Sequence, residues 1–262
     1  MDLGLSSRTA LVTGADSGIG LATARLLAAE GAAVVMTDLD ADALAAAARE
    51  VDGRVTTHAA DLTRWDDVVG LREAAHAAFG PPTVVHAAGV TGAQGLFHEI
   101  DEAGWRSTLE TDFFAAVNVA RAFVDGMRGA RWGRLVFLAS EDAVQPYVDE
   151  LPYCAAKAAV LSLAKGLSKT YGSDGVLVNA VSPAFVATPM TDAMMAGRAQ
   201  ERGTDVDEAI GSFLEEERPG IVVGRRGEAD EVAAVIAFLC SERASYVTGS
   251  NYRVDAGSVA TI

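Results

Sequence analysis

Thr9-Ala10-Leu11-Val12-Thr13-Gly14-Ala15-Asp16-Ser17-Gly18-Ile19-Gly20 decides how this chain folds. Thr9–Val12 is a short apolar run that reads as a strand, and Gly18–Ala29 reads as a helix. Between them three glycines are spaced Gly-x-x-x-Gly-x-Gly. Glycines at a strand-to-helix junction allow a tight turn, a close backbone approach to a pyrophosphate, and close packing of helix on strand. The helix N-terminus adds amide donors and the positive end of a dipole. The spacing departs from the Gly-x-Gly-x-x-Gly of many dinucleotide dehydrogenases, so the glycines carry weight mainly through their place at the junction.

Outward from this turn the same alternation repeats. Thr9–Val12, Ala33–Thr37, Val55–Ala59, Thr83–His86, Arg134–Leu138, Val176–Ala180 and Tyr252–Val254 read as strands. Gly18–Ala29, Asp40–Glu50, Trp65–Ala78, Gly104–Met127, Pro152–Tyr171 and Glu228–Leu239 read as helices. The strands are nearly continuous in hydrophobicity rather than alternating, as suits strands covered on both faces. Strand–helix alternation with short connections predicts a single α/β domain over residues 1–262: a Rossmann-like, doubly wound parallel sheet of about seven strands with helices on both faces. Residues 1–130, which hold the glycine turn, are expected to form mainly a dinucleotide-binding half, which leaves 131–262 as the expected catalytic and substrate half. Pro189–Gly227 breaks the rhythm, with charges, methionines and glycines but no strand. It is either a lid over a substrate cleft or a solvated surface insertion.

Asp38 follows the second strand about twenty residues after the glycine turn, where an acid accepts hydrogen bonds from an adenosine ribose. A carboxylate there repels a 2′-phosphate and favours NAD over NADP, and Asp16 adds a second negative charge. The alternative is that Asp38 caps the helix starting near Asp40.

With 36 acidic against 21 basic side chains, the chain carries a formal charge of −15. That charge repels phosphate backbones and anionic lipids, which argues against nucleic-acid or membrane-surface partners. No apolar stretch approaches the ~20 residues of a membrane span, and no leader pattern opens the chain, so a soluble, cytoplasmic protein is expected. Cys154 and Cys240 read as reduced, buried thiols. His58, His76, His86 and His98 form no ligand pair, and no metal site is expected.

Tyr153-Cys154-Ala155-Ala156-Lys157 places a phenol and an ammonium at i, i+4 on one helix face. A free tyrosine is a poor acid or base at neutral pH, and an adjacent positive charge favours the phenolate. With five tyrosines and only three lysines, this pair arises by chance about 0.06 times per chain. Ser140 stands thirteen residues earlier.

Together these motifs, from Arg8 to Gly257, resemble the short-chain dehydrogenase/reductase family. The family's Thr-Gly-x-x-x-Gly-x-Gly is Thr13 to Gly20, and its adenine-contacting Asp-Leu is Asp61-Leu62, as Asp38-Leu39 lies at the ribose. Its Asn-Asn-Ala-Gly is altered to His86-Ala87-Ala88-Gly89. The resemblance assigns Ser140, Tyr153 and Lys157 to catalysis. Thr13, Gly14, Ser17, Gly18, Ile19, Gly20, Asp38, Leu39, Asp61, Leu62, Ala88, Gly89, Tyr153, Lys157, Pro183, Val186 and Thr188 are assigned to the cofactor, NAD. Pro183-Ala184 stands for a Pro-Gly turn, and Val254-Asp255-Ala256-Gly257 for Val-Asp-Gly-Gly.

Of three departures, one bears on the chemistry. Counting seven residues from Trp105, the family's active-site asparagine becomes Asp112, here a candidate functional replacement that would favour charged Lys157. Asn118, six residues on, faces elsewhere. Loss of an asparagine at Ala87 removes an amide that ties strands together, and His86 either restores one hydrogen bond or is a plain structural histidine. Ala184 restricts φ to negative values or imposes strain.

The resemblance implies hydride exchange between a carbinol carbon and nicotinamide, with Tyr153 as acid/base, Lys157 lowering its pKa and holding the ribose, and Ser140 binding the substrate oxygen. The expected reaction interconverts a secondary alcohol, or a diol or polyol hydroxyl, and its ketone. Rival readings are an NAD(P)H-dependent ketoreductase of a β-keto acyl or polyketide-like substrate, and a catalytically silent cofactor-binding sensor. Glu141 and Asp142 either receive a polyol or an amine, or face solvent or brace Tyr153. The family implies a homo-oligomer, tetramer or dimer, built in part on the Gly104–Met127 and Pro152–Tyr171 helices.

Overall fold

The computed structural model describes residues 2–261. Its strands are β1 (Thr9–Thr13), β2 (Ala33–Thr37), β3 (Val55–Thr57), β4 (Thr83–His86), β5 (Gly133–Leu138), β6 (Val176–Pro183), β7 (Val186–Ala187), β8 (Gly227–Glu228) and β9 (Asn251–Val254). Seven of them form one parallel sheet in the order β3-β2-β1-β4-β5-β6-β9. The order reverses beside β1, between β2 and β4, and a crevice opens there at the carboxyl ends of the strands.

The helices are α1 (Gly18–Ala29), α2 (Ala41–Ala48), α3 (Trp65–Phe79), α4 (Glu102–Leu109), α5 (Ala115–Ala130), α6 (Leu151–Tyr171), α7 (Pro189–Arg202), α8 (Val206–Glu216) and α9 (Ala229–Cys240). Continuous apolar strands are explained by what covers them. Leu11, Val35, Val84, Leu135, Phe137 and Ala180 pack under α3, α5 and α6. Their sequence neighbours Val12, Val34, Val85, Val136 and Val181 point the other way, under α1, α2 and α9. A strand buried on both faces has no polar side to alternate with.

Two stretches differ from expectation. The single predicted helix Gly104–Met127 is α4, one π-helical turn at Glu110–Phe114, then α5. The extra residue of a π-turn re-aims the side chains around it, a local cost that periodicity does not signal. The strandless excursion is an ordered helical hairpin closed at its base by the β7–β8 ribbon. Thr188 caps α7 in a capping box and Asp205 caps α8. Phe185, Met195, Phe213 and Ile221 give the hairpin its own small core, and Arg198 and Arg202 both reach Glu216. A solvated insertion would carry no such core.

Strain falls in a different place from the one anticipated. Ala184 stays outside the left-handed region, whereas Ala256, at a family glycine position, has φ 49°. A non-glycine residue there costs about 1 kcal/mol.

Candidate active site

The crevice at the strand-order reversal is a cleft of about 580 Å³. Its dinucleotide end is floored by the turn from β1 into α1. Ser17 begins α1 without a side-chain cap, and no acid stands in the first turn, so the helix's free N–H groups face the cleft. Gly20 is required at this turn because a Cβ would overlap the Gly14 carbonyl oxygen. The arrangement is an open set of amide donors at a positive dipole end, fit for a pyrophosphate.

Gly14, Ser17, Gly18, Ile19, Asp38, Leu39, Asp61, Leu62, Ala88, Gly89, Pro183, Val186 and Thr188 line the cleft with Ser140, Tyr153 and Lys157. Thr13 does not. It is fully buried behind the wall, where its Oγ1 accepts hydrogen bonds from the Ala87 and Ala88 amides, each at 3.1 Å. His86 Nδ1 lies 3.1 Å from the same oxygen. So His86 ties β4 to β1, and burial and the Lys157 charge push its pKa down to about 3, leaving it neutral. Thr13 braces the β1–β4 wall of the site through these bonds.

Beside the glycine turn Asp38 Oδ1 accepts from the Leu39 amide at 2.7 Å and Oδ2 from the Asp16 amide at 3.3 Å. Capping of α2 falls to Asp40, which accepts from the Asp42 and Ala43 amides. Burial, then the neighbouring Asp16 carboxylate, raises the Asp38 pKa against the Leu39 hydrogen bond. Lys157 is the single cationic side chain among the lining residues. Asn118, beyond the π-turn, donates to the carbonyls of Leu62 and Thr63 and so holds the Asp61–Leu62 edge.

The other end of the cleft is assembled from three elements. Ser140 stands just past β5 and starts the short 3₁₀ turn Glu141–Ala143. Tyr153 and Lys157 lie one turn apart on α6, the ammonium 5.3 Å from the phenol ring centroid. Lys157 Nζ reaches the Leu138 carbonyl at 3.4 Å and Asp112 Oδ1 at 3.4 Å, both side chains being buried. The π-turn delivers Asp112, whose Oδ1 also accepts from the Val90 amide at 3.0 Å while Oδ2 has no partner. Burial raises the Asp112 pKa, against the pull of Lys157. Gly89 makes the contact possible, since a Cβ there would lie 2.5 Å from Asp112 Oδ1 and 3.0 Å from Lys157 Nζ.

The charge balance differs from the i, i+4 argument alone. Tyr153 is held well above its ordinary pKa, first by burial, then by the Asp142, Asp112 and Glu150 carboxylates, with the Ser140 hydroxyl opposing. The ammonium beside the phenol is offset by Asp112.

Neither Glu141 nor Asp142 faces solvent: they are 2% and 6% exposed. Arg218, from the end of the α7–α8 hairpin, sits 3.5 Å from Glu141 and 3.3 Å from Glu150, with its guanidinium 3.4 Å over the Tyr147 ring. Burial raises the pKa of Glu141, takes Asp142 to about 6 and takes Glu150 to about 7. Arg218 and Glu150 escape sequence reasoning, because neither belongs to a motif. The excursion's ordered role is visible only once Arg218 is seen clamping it to the α6 N-terminus.

The free thiols of Cys154 and Cys240 are buried, and no cluster of metal-ligand side chains occurs among the described residues. Nor is any described helix long and apolar enough to cross a membrane.

A family profile described as "Enoyl-(Acyl carrier protein) reductase" matches residues 14–259. The chain is 36% identical to cis-4-hydroxycyclohexanecarboxylate dehydrogenase of Sinomonas cyclohexanicum, covering 97% of this chain and 98% of that one. It is 31% identical to D-beta-hydroxybutyrate dehydrogenase of Cupriavidus necator, over 98% and 99% of the two chains. L-sorbose reductase from Gluconobacter frateurii, solved with NADPH and L-sorbose, superposes with a TM-score of 0.94 at 34% identity, each chain covered 100%. Fold, motif order and these relatives agree: the chain belongs to the short-chain dehydrogenase/reductase family.

Proposed function

We propose that this protein is an NAD-dependent oxidoreductase that interconverts a secondary alcohol, or a diol or polyol hydroxyl, and its ketone. The observation carrying the reading is the convergence of Ser140, Tyr153 and Lys157 on one wall of the cleft whose other end is the open α1 N-terminus. Bound nicotinamide supplies the hydride acceptor or donor. Ser140 Oγ donates to the substrate oxygen, and the Tyr153 hydroxyl gives or takes the oxygen's proton. Lys157, fixed between Leu138 and Asp112, holds the ribose and keeps a positive charge beside the phenol. Asp112 orients that ammonium from behind, as a positioning residue.

The NAD preference is supported by the paired carboxylates Asp16 and Asp38, which a 2′-phosphate would have to approach. The hydroxyl and keto substrates in the names of the relatives favour carbinol chemistry. Self-association through the α4–α5 and α6 faces, where Phe114 is 47% exposed, completes the reading, and light scattering measures it.

The test is reduced-nicotinamide absorbance with purified protein, NAD or NADP, and a panel of secondary alcohols and ketones. Turnover with NAD ahead of NADP is expected, and Tyr153→Phe abolishes turnover while NADH still binds. Retained turnover in Tyr153→Phe would overturn the assignment of the proton-transfer role.

A further inference from the structure

A cleft that receives an acid needs a cation to meet it, and the cations around this cleft are already engaged. Four of its lining residues are charged: Asp16, Asp38, Asp61 and Lys157. Asp16 belongs to the glycine turn, and Asp38 and Asp61 follow β2 and β3. Where Ser140 and Tyr153 stand, Lys157 is the single charged side chain of the lining. Its buried ammonium lies 3.4 Å from Asp112 Oδ1 and 3.4 Å from the Leu138 carbonyl. The strand ends beside it contribute Val90, Leu138 and Ala184 to the lining, and the first turn of α7 contributes Met190.

The hairpin whose start lines the cleft carries five arginines, Arg198, Arg202, Arg218, Arg225 and Arg226. Each is answered by an acid of the chain itself. Arg198 and Arg202 meet Glu216 at 2.8 and 2.6 Å, Arg225 meets Glu231 at 2.7 Å, and Arg226 meets Asp192 at 2.6 Å. Arg202 and Arg225 spend both terminal nitrogens on the two oxygens of one carboxylate. A guanidinium fork filled in this way has no second fork for a ligand. Arg218, packed against the residues that follow Ser140, is shared by Glu141 and Glu150.

We infer, resting on the oxidoreductase reading above, that the substrate is an uncharged secondary alcohol or ketone, and that a hydroxy or keto acid whose carboxylate must enter the cleft is refused. An anion entering there gives up its hydration and finds no free counter-charge in exchange. A neutral frame is received by Val90, Leu138, Ala184 and Met190 and held at one oxygen by Ser140 and Tyr153.

The experiment changes charge at nearly constant shape. It compares kcat/KM for 4-hydroxycyclohexanecarboxamide with 4-hydroxycyclohexanecarboxylate, and for 3-hydroxybutanamide with 3-hydroxybutanoate. Where a frame is not turned over, the inhibition constants of its amide and carboxylate against an accepted ketone supply the ratio. The amide is expected to lead by roughly 100-fold, the scale of a charge left without its complement. Met190→Lys, which sets an ammonium in the lining, should narrow that ratio by about tenfold, and the neutral Met190→Gln should leave it as in the wild type. Should Met190→Lys not fold, the wild-type ratio decides alone. A carboxylate handled as well as its amide overturns the inference alone, and so does a ratio that an active Met190→Lys leaves unmoved. Absence of turnover on every alcohol and ketone overturns the oxidoreductase reading and this inference with it.

Discussion

Replacing Arg218 by methionine keeps much of the side-chain volume and removes its charge. The guanidinium lies 3.5 Å from Glu141 and 3.3 Å from Glu150, and both acids are largely enclosed. Removing one partner of a buried pair costs about 3–5 kcal/mol because the remaining charge is left uncompensated. These acids, however, have a way out. Burial already takes Asp142 to about 6 and Glu150 to about 7, above their ordinary 3.8 and 4.5, and Arg218 is among the groups pulling both down. A carboxyl whose folded pKa is raised binds a proton that the unfolded chain releases, so its contribution to stability is lost as pH rises through the folded value. Without Arg218 the folded values climb further and the loss extends to higher pH. Arg218→Met is therefore expected to lose about 3–5 kcal/mol at pH near 8 and far less at pH near 5, below the folded values of Asp142 and Glu150. Urea unfolding across that range, read as midpoint and slope, measures it. A loss of equal size at both pH values would refute the reasoning and place the role of Arg218 in its packing on Tyr147 and Phe213. Adding Glu150→Gln to Arg218→Met should recover part of the loss at the higher pH only.

Asp112→Asn removes a negative charge that raises the Tyr153 pKa, so the pH–rate profile for alcohol oxidation should move to lower pH, and an unmoved profile would uncouple Asp112 from the phenol. Gly89→Ala drives a methyl group against Asp112 and Lys157. It should cost about 1–3 kcal/mol in thermal or urea unfolding and depress turnover more than the melting shift explains; wild-type behaviour would mean the Gly89 backbone yields freely. Asp38→Asn should move the kcat/KM ratio toward NADP by about tenfold, the effect of relieving one close like-charge contact, whereas an unchanged ratio would remove Asp38 from cofactor choice.

The sheet was legible because its signal is local. Val12, Val35, Val85 and Val136 sit in runs whose hydrophobicity survives without knowledge of partners, and the glycine turn announces a steric need that no other residue meets. The Tyr153–Lys157 spacing is likewise a property of one helix. Boundaries and departures from regularity were not legible. The helix over Gly104–Met127 hides a π-turn, and the charges of 189–227 conceal two capped helices whose apolar residues meet Phe185 from outside the segment. Thr13 reads as a ligand contact from its motif, but only the register of β1 beside β4 shows its hydroxyl taken by the Ala87 and Ala88 amides.

Taken alone, the sequence determined the parallel doubly wound sheet, the family, the glycine floor and the residues whose side chains carry the proposed proton transfer. Periodicity, glycine sterics and i, i+4 geometry act within a few residues and need no tertiary context. Only the tertiary structure decided the electrostatics around Tyr153. Asp112, Asp142, Glu150 and Arg218 come from a π-turn, a 3₁₀ turn, a helix start and the end of a hairpin. Their effects depend on distance and on exclusion of water, and both arise only when those segments pack together.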